Sequence, residues 1–190
     1  MLEAFLTSTG VVALAEVGDK TQLLAILLAA RYKKSTPIIL GIFLATIVNH
    51  LFAAAVGQWL TALISPVTLK WILGIGFIAM AAWLLIPDKI DEDAPIKESL
   101  GIIGTTIVAF FIAEMGDKTQ IATVALAAKY HAVVAVVVGS TLGMMIANVP
   151  AVLFGEIAVK KFSPKVVHAI AAVIFAIIGI SVLLGMKIGL

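Results

Sequence analysis

Two six-residue stretches, Glu16-Val17-Gly18-Asp19-Lys20-Thr21 and Glu114-Met115-Gly116-Asp117-Lys118-Thr119, each put two acids and a lysine into a run that is otherwise apolar. The first lies between Val11-Val12-Ala13-Leu14-Ala15 and Leu23-Leu24-Ala25-Ile26-Leu27-Leu28. The second lies between Ile107-Val108-Ala109-Phe110-Phe111-Ile112-Ala113 and Ile121-Ala122-Thr123-Val124-Ala125-Leu126. The chain is 62% hydrophobic and 13% charged, with mean hydropathy +1.17, where a soluble domain carries about 25% charged residues. It reads as an integral membrane protein. A charge at the centre of a spanning helix costs about 2.5–3.5 kcal/mol. Charges set there twice over mark a working site.

Apolar runs of about 20 residues read as spanning helices, and the chain has six. The first covers about Ala4 to Ala30 and ends at Arg31-Tyr32-Lys33-Lys34. The second follows Pro37 to about Leu60, and the third covers about Val67 to Ile86 after a Ser65-Pro66 turn. The fourth covers about Leu100 to Ala128, the fifth about Ala132 to Val159 and the sixth about Pro164 to Met186. Between the third and fourth lies the polar linker, residues 87–98, read as a solvated tether. The acidic start Met1-Leu2-Glu3 lacks the basic region of a cleaved signal peptide, so the first run is expected to be retained.

The two halves align at a constant offset of 98 residues without a gap. Glu16 falls on Glu114, Asp19 on Asp117, Gln22 on Gln120, Tyr32 on Tyr130, Ser65-Pro66 on Ser163-Pro164 and Phe77 on Phe175. Three spans per half is an odd number, so the second half enters from the opposite side. The expected fold is all-α, with six transmembrane helices as two inverted three-helix repeats, 1–86 and 99–190. Inverted repeats are a transporter architecture with the site near the midplane. Eight basic residues, Arg31, Lys33, Lys34, Lys89, Lys97, Lys160, Lys161 and Lys165, lie on one side, and Lys70, Lys129 and Lys187 on the other. The richer side is expected to be cytoplasmic, which puts both termini and the poorer side outside.

On a continuous helix, acids three apart share a face about 60° wide. Glu16 with Asp19, and Glu114 with Asp117, are thus expected to pair. Gly18 and Gly116 let a neighbour approach or let the backbone bend. Thr21, Gln22, Thr119 and Gln120 add neutral oxygens one turn on. If inverted symmetry brings the two stretches together, four carboxylates form one cage. Its hard donors suit Ca²⁺, Mn²⁺ or Mg²⁺ over Cu⁺ or Zn²⁺. Four acids and two lysines leave a charge of −2, which one divalent cation or two protons would neutralise. Lys20 and Lys118 either face this cavity or hold the aspartates as salt bridges.

The stretch resembles the Glu-hydrophobic-Gly-Asp-Lys/Arg-Thr/Ser signature of a family of six-span cation transporters. That family includes the Golgi Mn²⁺/Ca²⁺ transporters and bacterial manganese exporters. Both copies fit at every position, and the resemblance covers the whole chain. It implies that Glu16, Asp19, Glu114 and Asp117 bind the transported ion, that the ion is Mn²⁺ with Ca²⁺ as the other candidate, and that protons drive antiport. It also implies a bacterial inner (plasma) membrane location. The partners expected are the divalent cation and the lipid bilayer, with no resident cofactor. The net charge of +2 gives no sign of nucleic-acid binding.

Asn49 and His50 lie in the second run, and Asn148 aligns with His50 in the fifth. Asn49 and Asn148 are candidate oxygen ligands or interhelical hydrogen-bond formers, and His50 is first a packing residue. Ser140 and Thr141 are expected at helix contacts, and Glu156 in a surface pair with Lys160. Gly41, Gly57, Gly139, Gly143 and Gly155 read as close-packing positions. Trp59, Trp71 and Trp83 read as interfacial anchors. The competing function is export of a small organic solute such as an amino acid, which also suits a 3+3 plan. A channel would favour weak, multiple sites over one four-acid cage. An enzyme would need a nucleophile and base, and the chain has no cysteine and no His-x-x-His.

Overall fold

A computed structural model describes residues 1–86, 100–155 and 163–185. The described residues form eight helices and no strand: α1 (Leu2–Glu16), α2 (Lys20–Tyr32), α3 (Ser35–Leu63), α4 (Pro66–Leu84), α5 (Gly101–Glu114), α6 (Lys118–Tyr130), α7 (Val133–Phe154) and α8 (Pro164–Leu184). Four of them, α3, α4, α7 and α8, are long and apolar enough to cross a membrane. Large apolar side chains such as Leu44, Val48, Leu51, Ile170 and Ile177 are exposed along them. A protein in water would bury such rows; a bilayer solvates them. The chain is a membrane protein, all-helical over the described residues.

The first and fourth apolar runs correct the sequence reading. Each was expected as one continuous helix, and each is two short ones. The break falls inside the repeated stretch, at residues 17–19 and again at 115–117. The linker 87–98 and the pair Glu156 and Lys160 lie outside the described residues.

The helices of one half pack on those of the other. α1 lies against α7 and α5 against α3; α2 lies against α7 and α6 against α3. The two long helices α3 and α7 also touch, as do α4 and α8. These contacts match at the 98-residue offset down to single positions. A Cβ on Gly41 of α3 would stand 2.6 Å from Thr106 Cβ and 3.1 Å from the Ile103 carbonyl of α5. A Cβ on Gly139 of α7 would stand 3.1 Å from Ser8 Cβ and 2.5 Å from the Phe5 carbonyl of α1. The glycines let backbones meet, as small residues do between helices in lipid. Gly57 and Gly143 also lie at such contacts, whereas Gly155 ends α7 in open space. Phe77 of α4 and Phe175 of α8, another offset pair, meet with ring centroids 6.0 Å apart.

Two apolar clusters are buried, and polar residues separate them. Along α3, Ile38, Ile42 and Ala45 belong to one cluster and Ala54 to the other. Between them sit buried Thr46, Asn49 and His50. Along α7, Val136 and Val137 belong to the second cluster and Ala151 and Val152 to the first. Between those sit buried Ser140, Thr141 and Asn148. The repeated acidic stretches lie in this polar layer. α4 and α8 contribute to the cluster that holds Ala54 and not to the other.

Candidate cation site at two helix breaks

The sequence Glu-x-Gly-Asp dictates the break. Val17 has φ −65° and ψ 113°, Gly18 has φ +83°, and the Asp19 N–H donates to the Glu16 carbonyl at 3.1 Å. This is a type II turn, which needs a positive φ at its third residue and therefore favours glycine there. Met115 (φ −62°, ψ 118°), Gly116 (φ +73°) and the Asp117 N–H to Glu114 carbonyl bond of 3.1 Å repeat it. The aspartate then begins the next helix. Asp19 and Asp117 are the N-caps of α2 and α6, with extended backbones. Each carboxylate thus sits at the positive end of a helix dipole. The glutamate sits at the end of the preceding helix, one turn away in space. This corrects the expectation of a Glu–Asp pair on one helix face: each glutamate ends one helix and each aspartate caps the next.

The acids are buried. Glu16 and Glu114 are fully inaccessible, Asp19 is 1% exposed and Asp117 4%. Carboxylate oxygens of Glu16, Asp19 and Asp117 lie within 4.8 Å of one another, so both motifs contribute to one cluster. Glu114 is outside this trio. Thr21 Oγ1 donates to Glu16 Oε2 at 2.6 Å, and Thr119 Oγ1 donates to Glu114 Oε2 at 3.0 Å. Glu16 Oε1, Glu114 Oε1 and Asp117 Oδ2 are buried without a hydrogen-bond donor. Buried anionic oxygens with no donor are costly unless a cation meets them. The trio can receive one hard cation.

Lys20 takes one of the two expected roles, salt-bridge partner of an aspartate. Lys20 Nζ lies 3.0 Å from Asp117 Oδ1, so it pairs with the aspartate of the other motif. Lys118 is buried and donates to the Ile86 carbonyl, just past α4, at 3.2 Å. Gln22 and Gln120 reach the glycine of their own turn and the long helix of the opposite half. Gln120 Nε2 donates to the Asn49 side chain. Asn148 donates to the Met144 carbonyl at 3.2 Å and to its sulfur at 2.9 Å, and Asn148 Oδ1 has no partner. His50 is fully buried, with neither ring nitrogen hydrogen-bonded. Sequence reasoning allowed a bend at Gly18 and Gly116 but not a full break, whose signal was a glycine followed by a capping aspartate inside a helical pattern.

A family model described as "Divalent cation/proton antiporter GDT1" matches residues 4–92 and 102–189. The chain belongs to the GDT1 family of divalent cation/proton antiporters. A protein of Vibrio cholerae named "Putative manganese exporter" is 48% identical over 171 residues, 90% of this chain and 85% of its own length. A GDT1-like protein of Synechocystis is 29% identical over 92% of this chain and 94% of its own length. GDT1-like protein 4 of Oryza sativa subsp. indica is 29% identical over 92% of this chain and 71% of its own. No solved structure matches the chain. Within the family, both repeated stretches and both helix breaks lie inside the matched residues.

Proposed function

We propose that this GDT1-family chain is a secondary active transporter that exports Mn²⁺, with Ca²⁺ as a second accepted ion, in exchange for protons. The observation that carries the reading is the carboxylate trio drawn from both motifs, Glu16, Asp19 and Asp117, with oxygens within 4.8 Å. Glu114 joins as the fourth acid when the two halves rearrange. Mn²⁺ accepts an all-oxygen set of this kind. The relative named for manganese export supports that ion.

In this reading α1 and α2 are the two halves of one broken span, and α5 and α6 of another. The chain then has six spans in two inverted repeats, 1–86 and 99–190, joined by a cytoplasmic tether at 87–98. Both termini face away from the cytoplasm, and the host membrane is the bacterial plasma membrane. Discontinuous helices meeting at the midplane are the usual way such repeats build an ion site.

Alternating access draws support from an asymmetry. A Cβ on Gly18 would lie 2.6 Å from Pro164 at the start of α8, whereas Gly116 has nothing within 4 Å. α8 packs on α1, and α4 packs on α6. Exchanging the conformations of the halves would pack α4 on α5 and α8 on α2, and would open the site to the other side. Protons compete with the metal for the same carboxylate oxygens. Acid on the release side therefore discharges the ion, and protonated acids carry the empty site back without mutual repulsion.

The test is Mn²⁺ flux in proteoliposomes under an imposed proton gradient, repeated with Ca²⁺. Gradient-driven flux lost in both Glu16→Gln and Glu114→Gln is the expected result. Flux of neither ion in the wild type would overturn the reading.

A further inference from the structure

Gln22 and Gln120 make the same pair of bonds at equivalent places. The amide oxygen of each accepts from the N–H of its motif glycine, at 2.8 Å from Gly18 and 2.7 Å from Gly116. That N–H belongs to the turn and has no helical acceptor, so the glutamine satisfies it. The amide nitrogen of each then leaves its own half. Gln22 Nε2 donates to the Ala147 carbonyl on α7 at 2.9 Å, and Gln120 Nε2 donates to Asn49 Oδ1 on α3. Residues 49 and 147 are themselves 98 apart. Each tie therefore runs from one turn to the equivalent point on the other half's long helix. The two ties differ in chemistry: one ends on a main-chain carbonyl, the other on a side-chain amide.

We propose that Gln22 and Gln120 are positioning residues that clamp each helix break to the opposite half, and that they fix the carboxylate spacing without binding the cation themselves. The inference rests on the Mn²⁺ site proposed above. The turn sets the distance between Glu16 and Asp19. The clamp sets where that turn stands relative to Asp117, which belongs to the other half. The clamp on the second turn depends on a side chain, Asn49. The clamp on the first turn ends on a carbonyl that no substitution at position 147 removes.

The experiment measures Mn²⁺ affinity by calorimetry on the purified full chain, with thermal unfolding to check that each variant is folded. Asn49→Ala weakens binding about threefold, as loss of one buried interhelical bond implies, and Gln120→Ala, which also strips the Gly116 N–H of its acceptor, weakens it further. Together they are no worse than Gln120→Ala alone, because Asn49 belongs to the same tie. Gln22→Ala combined with Asn49→Ala breaks two ties, and the two single losses multiply, to about ninefold or more. A second comparison separates a clamp from a ligand. At pH 8, Gln22→Glu sets a carboxylate against the Ala147 carbonyl and weakens binding. Glutamate at position 120 faces Asn49, whose amide can turn to donate its N–H, so Gln120→Glu binds more tightly than Gln22→Glu. Independent effects of Gln120 and Asn49, or tighter binding in both glutamate variants, overturn the clamp. Wild-type affinity in Glu16→Gln would overturn the underlying site instead, and the two failures are read separately.

Discussion

A methyl group added at Gly18 meets two obstacles, and one added at Gly116 meets a single one. Both glycines hold a positive φ, +83° and +73°, and a side chain in the left-handed region costs about 1–2 kcal/mol. At Gly18 the added carbon would also stand 2.6 Å from the Pro164 side chain and 3.7 Å from its Cα. Gly18→Ala is therefore expected to lower the thermal unfolding midpoint more than Gly116→Ala; equal midpoints would remove Pro164 from the account. The acids give a second expectation. Glu16→Gln keeps the shape and removes one charge from the trio, and should weaken Mn²⁺ binding more than tenfold, roughly the least that disturbing a metal's surroundings does. Titration calorimetry reads it directly. That acids of the two stretches come together in one candidate site was legible in the sequence, because charge in an apolar run needs a reason. Where they point was not. The 60° helical face assumed an unbroken helix, and the type II turn at Glu16–Asp19 turns that geometry around. Lys20 reaching Asp117 was equally hidden, since a pairing between halves leaves no local spacing to read.

At the scale of elements, α3 and α7 carry the contacts, while α4 and α8 stand to one side. α4 and α8 pack together, touch α6 and α1, and feed only one of the two apolar clusters. This makes them a pair that can shift against the remaining six helices. Leu14 of α1 and Ile174 of α8 line one cavity of about 350 Å³. Their offset counterparts are Ile112 of α5, which is 51% exposed, and Gly76 of α4, whose Cβ position is open. The chain has no cysteine, so engineered pairs report cleanly. Leu14→Cys with Ile174→Cys should be bridged across the cavity by a short bifunctional thiol reagent in the conformation described, and Ile112→Cys with Gly76→Cys only when Mn²⁺ and a proton gradient turn the carrier over. Cross-linking of both pairs at once in one molecule would rule out the exchange. Four of the helices, α3, α4, α7 and α8, were legible to within a few residues in length and place, except at the end of the fifth run, which lies outside the described residues. Hydropathy reads continuous apolar segments well and says nothing about a turn satisfied inside them, which is why α1 and α5 were run on into α2 and α6.

For the whole molecule, the direction of proton coupling follows from competition for shared oxygens. Acid on the release side should accelerate Mn²⁺ efflux, and acid on the loading side should slow it. Flux that ignores a pH step of either sign would dissociate protons from the transport cycle. The orientation is open to an equally plain test: a label placed at Met1 should be reached by an impermeant reagent from outside intact cells, as the distribution of basic residues requires. The repeat itself was visible as a 98-residue offset. Its physical meaning was not, because the sequence does not say that each half's broken helix rests on the other half's long one.

That interlacing bears on how the protein is made. α1 and α2 find their partner, α7, only when the chain has been synthesised past residue 133, and α5 and α6 find theirs in α3, made long before. The first half leaves the ribosome with a carboxylate-bearing turn and no surface to lay it on. Its maturation must wait for the second half, and quality control has a window in which to see it. A gene cut between residues 86 and 100 should yield two fragments that are each degraded alone and accumulate when made together.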